Sequence, residues 1–475
     1  MPDFSLSGYV RSLKESPLNA GTIERAYAPA KILAENETKR MVKFRFRDSK
    51  YEIVGNLLRS RDQIWHALGA GSDEEAYSKI LDAIEKPGKA VERKFSLKKA
   101  NATLHDLPFI LYFPGDGGMY LTSGVVFAKN NSIANASFHR MLLLSDHRAV
   151  LRIVPRHLYT MLKEKNKTGE DLPVAIIVGM HPIAQLAAAM SPRYGIFEMD
   201  VAAKLLPGFE IAYTPKYNIP VPASASVVVE GKILREKASE GPFVDLTSTY
   251  DMTREEPIFE AETFYESEEP LLNTILSGGI EHKLLMGYPR EAAIYETVSR
   301  AVPKVKKVRL TSGGGMWLHC ALSIEKNTDG DPKTAMLAAF TGHTSLKSVV
   351  VVDPDVDIDN LEDLEWAIST RFQPNKLLII NEARGSSLDP SAKDGMTSKM
   401  GIDATAPISD SGRYAKSRLP ELKPLPADVK ADLEKLLGEK RLKGYSKYIA
   451  DGIVTVFGDT TLSELRGYKV KVVRV

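Results

Sequence analysis

Asn135, Arg140 and His157 stand within one stretch of the chain, YLTSGVVFAKNNSIANASFHRMLLLSDHRAVLRIVPRH, residues 120–157. An amide oxygen, a guanidinium and an imidazole are the parts of a metal and anion site. Glu198 adds a carboxylate, and with Asn135 and His157 it makes a donor set suited to a hard or borderline divalent ion, Mn2+ or Mg2+. Glu240 and Asp245 lie on either side of Gly241-Pro242-Phe243, a tight turn able to aim both inward. An arginine grips a carboxylate with a bidentate fork, and a carboxyl group kept near another and away from water holds a proton near neutral pH. Spacing alone also allows an ordinary reading: a turn Asn, a core His, a surface Glu and a solvated acidic turn.

These residues need elements to place them. The stretch reads as three strands, Tyr120–Lys129, Asn135–Leu144 and Ala149–Val154, with a turn at Asn130-Asn131. Such a meander would hold Asn135, Arg140 and His157 on one sheet. Upstream, Phe4–Lys14, Arg59–Ala67 and Asp73–Glu85 read as helices and Thr38–Phe46 and Tyr51–Val54 as strands, an N-terminal α/β lobe over 1–98. Residues 99–288 are β-rich, with helices expected at Leu158–Lys163, Pro182–Met190 and Phe197–Lys204 and strands at Val174–Val178, Phe209–Thr214 and Ser226–Val229. Over 289–475 strand and helix alternate. Helices are expected at Glu291–Ala301, Lys333–Phe340, Asn360–Phe372 and Pro426–Leu437, which gives a mixed α/β C-terminal domain. The basic, Tyr-containing tail from Lys440 reads as a docking surface.

The chain has 475 residues, 43% hydrophobic and 26% charged, with a formal net charge of +2. That length suggests two or three domains with sizeable cores. The charges are interspersed, which argues against a nucleic-acid surface. A single cysteine, Cys320, excludes an intrachain disulfide and a multi-cysteine zinc site, and points to a reducing compartment. The N-terminus lacks the apolar core of a signal peptide, and no apolar run reaches membrane-spanning length, so a cytoplasmic protein is expected.

Several motifs in register resemble the UbiD-type decarboxylases, the prenylated-flavin-dependent family. They are Asn135-x-x-x-x-Arg140, Pro155-Arg156-His157, Ala189-Met190 followed by Glu198, Val221-Pro222-Ala223 running to Glu230-Gly231, and Glu240-Gly241-Pro242-Phe243-Val244-Asp245. Gly385–Pro390 and Ser398–Thr405 complete the order, so the resemblance covers roughly 105–405. It implies a split β-barrel flavin-binding domain over 99–288 and an oligomerisation domain over 289–475. It implies prenylated FMN as cofactor, its phosphate tied to Asn135, His157 and Glu198 through Mn2+ or Mg2+, with Met190 and Lys399 also at the cofactor. A monovalent cation such as K+ on backbone groups near Ala187, Ala188 and Met190 is a further implication. Arg140, Glu240 and Asp245 take the places of the family's Glu–Arg–Glu triad, with Asp245 standing where many members have Glu.

The activity so implied is reversible, non-oxidative decarboxylation of an α,β-unsaturated or aromatic acid, in a homo-oligomer (a dimer or hexamer) supplied by a flavin prenyltransferase. Two other classes are a flavin-binding module without catalysis and a plain FMN oxidoreductase. The first has no use for Arg140, Glu240 and Asp245, and the second none for the carboxylate pair. The chain looks most similar to the archaeal branch that converts trans-anhydromevalonate 5-phosphate to isopentenyl phosphate, with 4-hydroxybenzoate-type acids as the alternative. A phosphorylated substrate needs a further cation, for which Arg290 and Lys283 are candidates. Gly313-Gly314-Gly315 reads as a strand-entry loop, and His319-Cys320 as strand neighbours facing opposite ways.

Overall fold

The computed structural model describes residues 3–475 as two compact units, one reaching to Ser409 and the other spanning Asp410–Val475. The first unit is a mixed α/β structure with its strands in several sheets.

The central sheet carries most of the expected site. Its strands lie in the order Tyr120–Leu121, Met141–Leu143, Arg148–Leu151, Arg254–Glu266, Val227–Glu240, Leu172–Val178, Val125–Asn130, Ile133–Phe138. Both faces are buried, and the two-residue period of a strand divides its side chains between two cores. Phe127, Ala175, Ile177 and Val228 enter one core, whereas Val126, Val174, Ile176 and Val229 enter the other. Helices Pro182–Ala189, Glu198–Leu205 and Ile280–Ala301 contribute to the first of these cores.

The expected meander over 120–157 is corrected by this order. Period-2 alternation shows that a segment is a strand but not which strand lies beside it. The hairpin Val125–Phe138 ends one side of the path, whereas Met141–Leu143 lies next to the last strand at the other. Only His139 and Arg140 separate Phe138 from Met141, so the two ends of the sheet come within about 11 Å of each other. The sheet therefore curls on itself. His139 N–H donates to the Gly124 carbonyl and so extends the hairpin by one pair, and no ladder closes the gap among the described residues.

A smaller sheet orders Leu18–Ile23, Val42–Phe46, Glu52–Gly55 and Leu271–Asn273, so the N-terminal lobe takes its last strand from far along the chain. A five-stranded sheet follows, in the order Val305–Leu310, His319–Ile324, Ser348–Val352, Met396–Ala404, Leu377–Arg384. Among its helices, Leu361–Arg371 is capped by Asn360, whose side chain accepts from Glu362 N–H. Helix Ile280–Ala301 starts eleven residues before the sequence suggested. Pro289, which argues for a break there, lies inside it. Strands Gly444–Ala450, Ile453–Phe457 and Tyr468–Val473 of the second unit pair in a sheet of their own beside helix Ala427–Gly438. Val429, Leu433, Ile449 and Val454 fill its core. The tail from Lys440 is thus part of a small folded body.

Among the described residues no helix is long and apolar enough to cross a membrane.

Candidate active site

Arg140 sits in the two-residue crossing between the ends of the central sheet, and its side chain is 9% exposed. Its Nε and Nη2 donate to the two oxygens of Glu240 at 2.9 and 3.0 Å, a bidentate pair. Nη1 donates to Asp245 Oδ2 at 2.9 Å and Nη2 to Asp251 Oδ2 at 2.8 Å. The guanidinium also lies over the Phe243 ring, 4.6 Å from its centroid. Burial works against the charge, but Glu240, Asp245 and Asp251 outweigh it and raise the Arg140 pKa.

The turn between the two acids brings this about. Glu240 ends the long strand Val227–Glu240 and is fully buried. Gly241 has φ +101°, and its N–H donates to the Tyr120 hydroxyl. The turn is backed by Gly117, whose N–H donates to the Pro242 carbonyl at 2.8 Å; a Cβ there would stand 2.2 Å from the Gly241 oxygen. Asp245 is then fixed by Leu246 N–H on its Oδ1 at 2.8 Å.

Asp251, Asp116 and His282 are additions that sequence reasoning missed. Asp251 also pairs with Arg254, and Arg254 and Arg140 hold its pKa down although burial pushes the other way. Asp116 has a buried oxygen without a partner, and burial raises its pKa while Arg140 pulls it down. His282 is half-buried, accepts Gly278 N–H on Nδ1 at 3.2 Å, and has Asp245 and Arg140 as charged neighbours. No motif marks these three, since each reaches the site by long-range folding.

Asn135, His157 and Glu198 also converge, but from three different elements rather than one sheet. Asn135 is on strand Ile133–Phe138, His157 opens helix His157–Lys167 and Glu198 opens helix Glu198–Leu205. Asn135 Nδ2 donates to Glu198 Oε1 at 2.9 Å, Ala136 N–H donates to Oε2 at 2.7 Å, and His157 Nδ1 lies 3.7 Å from Oε1. Burial raises the pKa of Glu198 despite the opposing pull of His157.

A divalent ion fits this donor set. Two ligands about 2.1 Å from one ion stand at most about 4.2 Å apart, and the Glu198–His157 separation is within that reach. Turning the Asn135 amide over would bring its oxygen to the position next to Glu198. That oxygen is also available. His139 Nδ1 faces the Arg152 carbonyl and must donate, so its Nε2 draws the single proton of the Ser137 hydroxyl away from Asn135. Burial holds His139 neutral, with its pKa lowered to about 4.

The remaining predicted residues stand near a basic cluster on the exposed Ser191 hydroxyl. Met190 caps helix Pro182–Ala189, its N–H donating to the Ala187 carbonyl at 3.0 Å. Ser191 Oγ, next in sequence, accepts from Arg156 Nη1 at 3.0 Å and from Arg290 Nη2 at 2.7 Å. Lys399 is buried on strand Met396–Ala404; its ammonium donates to the carbonyls of Thr344 and Leu346, both at 2.6 Å. Arg156, Arg290 and Lys399 are all charged neighbours of His343, whose pKa burial lowers to about 3.

Two family profiles cover most of the chain. That of the 3-octaprenyl-4-hydroxybenzoate carboxy-lyase Rift-related domain matches residues 83–280, and that of the C-terminal domain of the same carboxy-lyase matches 283–404. The chain belongs to the UbiD family. This UbiD-family chain is 43% identical over 427 residues to an anhydromevalonate phosphate decarboxylase of Aeropyrum pernix, covering 89% of this chain and 98% of the relative. Among solved structures it is similar to the UbiD-class enzyme HmfF from Pelotomaculum thermopropionicum in complex with FMN. There the TM-score is 0.83 at 31% identity, over 88% of this chain and 97% of that one. An evolved dimeric form of HmfF in complex with prFMN gives a TM-score of 0.80 at 29% identity, over 88% and 97%. The fold is that of UbiD-class enzymes, and the chain is a carboxy-lyase.

Proposed function

We propose that this protein decarboxylates trans-anhydromevalonate 5-phosphate to isopentenyl phosphate, using prenylated FMN. The observation that carries the reading is the Arg140 cluster, one buried guanidinium facing Glu240, Asp245 and Asp251. The likeness to the Aeropyrum pernix decarboxylase supports the choice of acid.

Asn135, His157 and Glu198 are the residues that would hold a divalent ion, Mn2+ or Mg2+, at the cofactor's phosphate, with Met190 and Lys399 beside it. Carbonyls near Ala187, Ala188 and Met190 are where a monovalent cation such as K+ would bind. Bound there, the prenylated flavin supplies the electron sink that carbon–carbon cleavage requires.

The chain's own residues supply the rest. Arg140 has five N–H donors and spends four, so one Nη1–H remains for a substrate carboxylate. Asp245, held to Arg140 through one oxygen, is the partner that gives way. Four carboxylates, Glu240, Asp245, Asp251 and Glu256, share three arginines, Arg140, Arg152 and Arg254. The proton to be delivered is carried by one of these carboxyl groups. The bond from substrate carbon to carboxylate breaks, CO2 leaves, and Glu240 or Asp245 delivers a proton to that carbon.

A homo-oligomer in the cytoplasm, loaded by a flavin prenyltransferase, completes the proposal. Protein made together with such a prenyltransferase should show an altered flavin absorption spectrum and release CO2 from trans-anhydromevalonate 5-phosphate. Turnover of 4-hydroxybenzoate alone would replace this substrate with an aromatic acid.

A further inference from the structure

The surface at Ser191 is rich in cations and poor in anions. Among the described residues no carboxylate comes within 4.0 Å of the charged groups of Arg156, Arg290 or Lys399. Solvent reaches Arg290, yet the protein around it is dense enough, with Arg156 adding repulsion, to lower its pKa to about 10. Two guanidinium groups are aimed at one neutral hydroxyl oxygen. Arginines converged on one oxygen without an acid beside them are arranged to receive an anion from outside the chain.

We propose that Arg290, with Ser191 and Arg156, seats a second phosphate, the one carried by the substrate, beside the phosphate of the cofactor. This rests on the reading of a phosphorylated acid given above.

Charge balance requires two anions. A flavin phosphate carries about −2 and Glu198 −1, while a divalent ion at the Asn135–His157–Glu198 site brings +2, which leaves about −1. Arg156, Arg290 and Lys399 add +3, and Arg384, a charged neighbour of Arg156, adds a further +1, so positive charge remains in excess. One further phosphate monoester reduces that excess.

Placement agrees with this count. His282 and Arg290 belong to one helix, Ile280–Ala301, eight residues and about 12 Å apart along its axis and about 80° apart around it. His282 marks the Asp245–Arg140 end and Arg290 the Ser191 cluster. An acid with a five-carbon main chain, esterified with phosphate at its far carbon, has its anionic ends on the order of 8 Å apart when extended. With its carboxylate on Arg140 it lies along this helix, and the Arg290 side chain spans what remains. A guanidinium takes two phosphate oxygens at once, and the pair turned toward Ser191 is already converged.

The test is equilibrium dialysis of flavin-saturated holoenzyme with radiolabelled inorganic phosphate. We expect one phosphate bound per subunit beyond the flavin, displaced by trans-anhydromevalonate 5-phosphate. Arg290→Gln should weaken it at least tenfold with flavin content unchanged, and Arg290→Lys should recover part of the loss. Holoenzyme that binds no phosphate, or an Arg290→Gln protein that loses flavin while still binding phosphate, overturns the proposal. Bound phosphate that the phosphorylated acid fails to displace overturns it as well. Displacement without any CO2 release leaves the seat standing and removes only the decarboxylation reading.

Discussion

Two arginine-centred regions of this UbiD-family chain are built on opposite principles. Around Arg140, three carboxylates satisfy one buried cation. Around Ser191, two arginines and a nearby lysine have no carboxylate within 4.0 Å among the described residues. The first region meets its cation with acids of the chain itself, held in fixed hydrogen-bond geometry as pre-organised chemistry requires. The second is left short of negative charge, as a binding site for an anion requires. Geometry that is complete without a ligand marks where bonds change; a charge deficit marks where a ligand is held.

Substitutions should separate the two roles. Arg140→Ala is expected to cost decarboxylation about 10³-fold or more while flavin content stays near that of the parent protein, measured as CO2 release per bound flavin. Normal turnover in that variant would remove the chemistry from the first region. Asp245→Asn should lower turnover by about 10²-fold through loss of the proton-returning step. Full activity there would transfer that step to Glu240. Glu198→Ala belongs to the anion-holding side: it should lose flavin and metal at least tenfold while the circular dichroism of the fold is retained. Full occupancy of both would disprove the metal assignment.

The smallest expected effect is on stability, at the helix that joins the two regions. Glu281 is buried, accepts the N–H groups of Leu57 and Leu58 at 3.0 Å each on one oxygen, and leaves the other without a partner. Burial raises its pKa from 4.5 to about 7. The folded chain therefore keeps a proton that the unfolded chain has released. Stability from this group is full below about pH 4.5 and falls as the pH rises toward 7, by about 3 kcal/mol in all. Melting temperatures of the parent should drop over that range, whereas Glu281→Gln should flatten this part of the profile. Identical profiles for the two proteins would show that Glu281 does not titrate as described.

Local features of this fold were legible in the sequence and long-range ones were not. The Ser72 cap of helix Asp73–Glu85 and the Asn360 cap were readable because a cap is decided within four residues. The mixed α/β class followed from alternating patterns. Glu240, Asp245 and Arg140 were singled out by motif, and the structure brings them together. Asp251 was invisible, because only the pairing of Phe243–Val244 with Tyr250–Asp251 carries it to Arg140. His282 was hidden because Gly287 and Pro289 broke the helical pattern of Ile280–Ala301. Packing accounts for Gly287, where a Cβ would stand 2.5 Å from the Met316 carbonyl oxygen. The meander over 120–157 failed because alternation identifies strands without ordering them.

The central claim is that a carboxyl group of the Arg140 cluster replaces the departing CO2 with a proton on a phosphorylated unsaturated acid. Incubating holoenzyme with trans-anhydromevalonate 5-phosphate in D2O and analysing the product by mass spectrometry tests it most directly. The account predicts isopentenyl phosphate carrying one deuterium on the carbon that bore the carboxylate, one CO2 per product, and neither from Glu240→Gln. Absence of that product from flavin-loaded protein, or undiminished formation of it by Glu240→Gln, would contradict it.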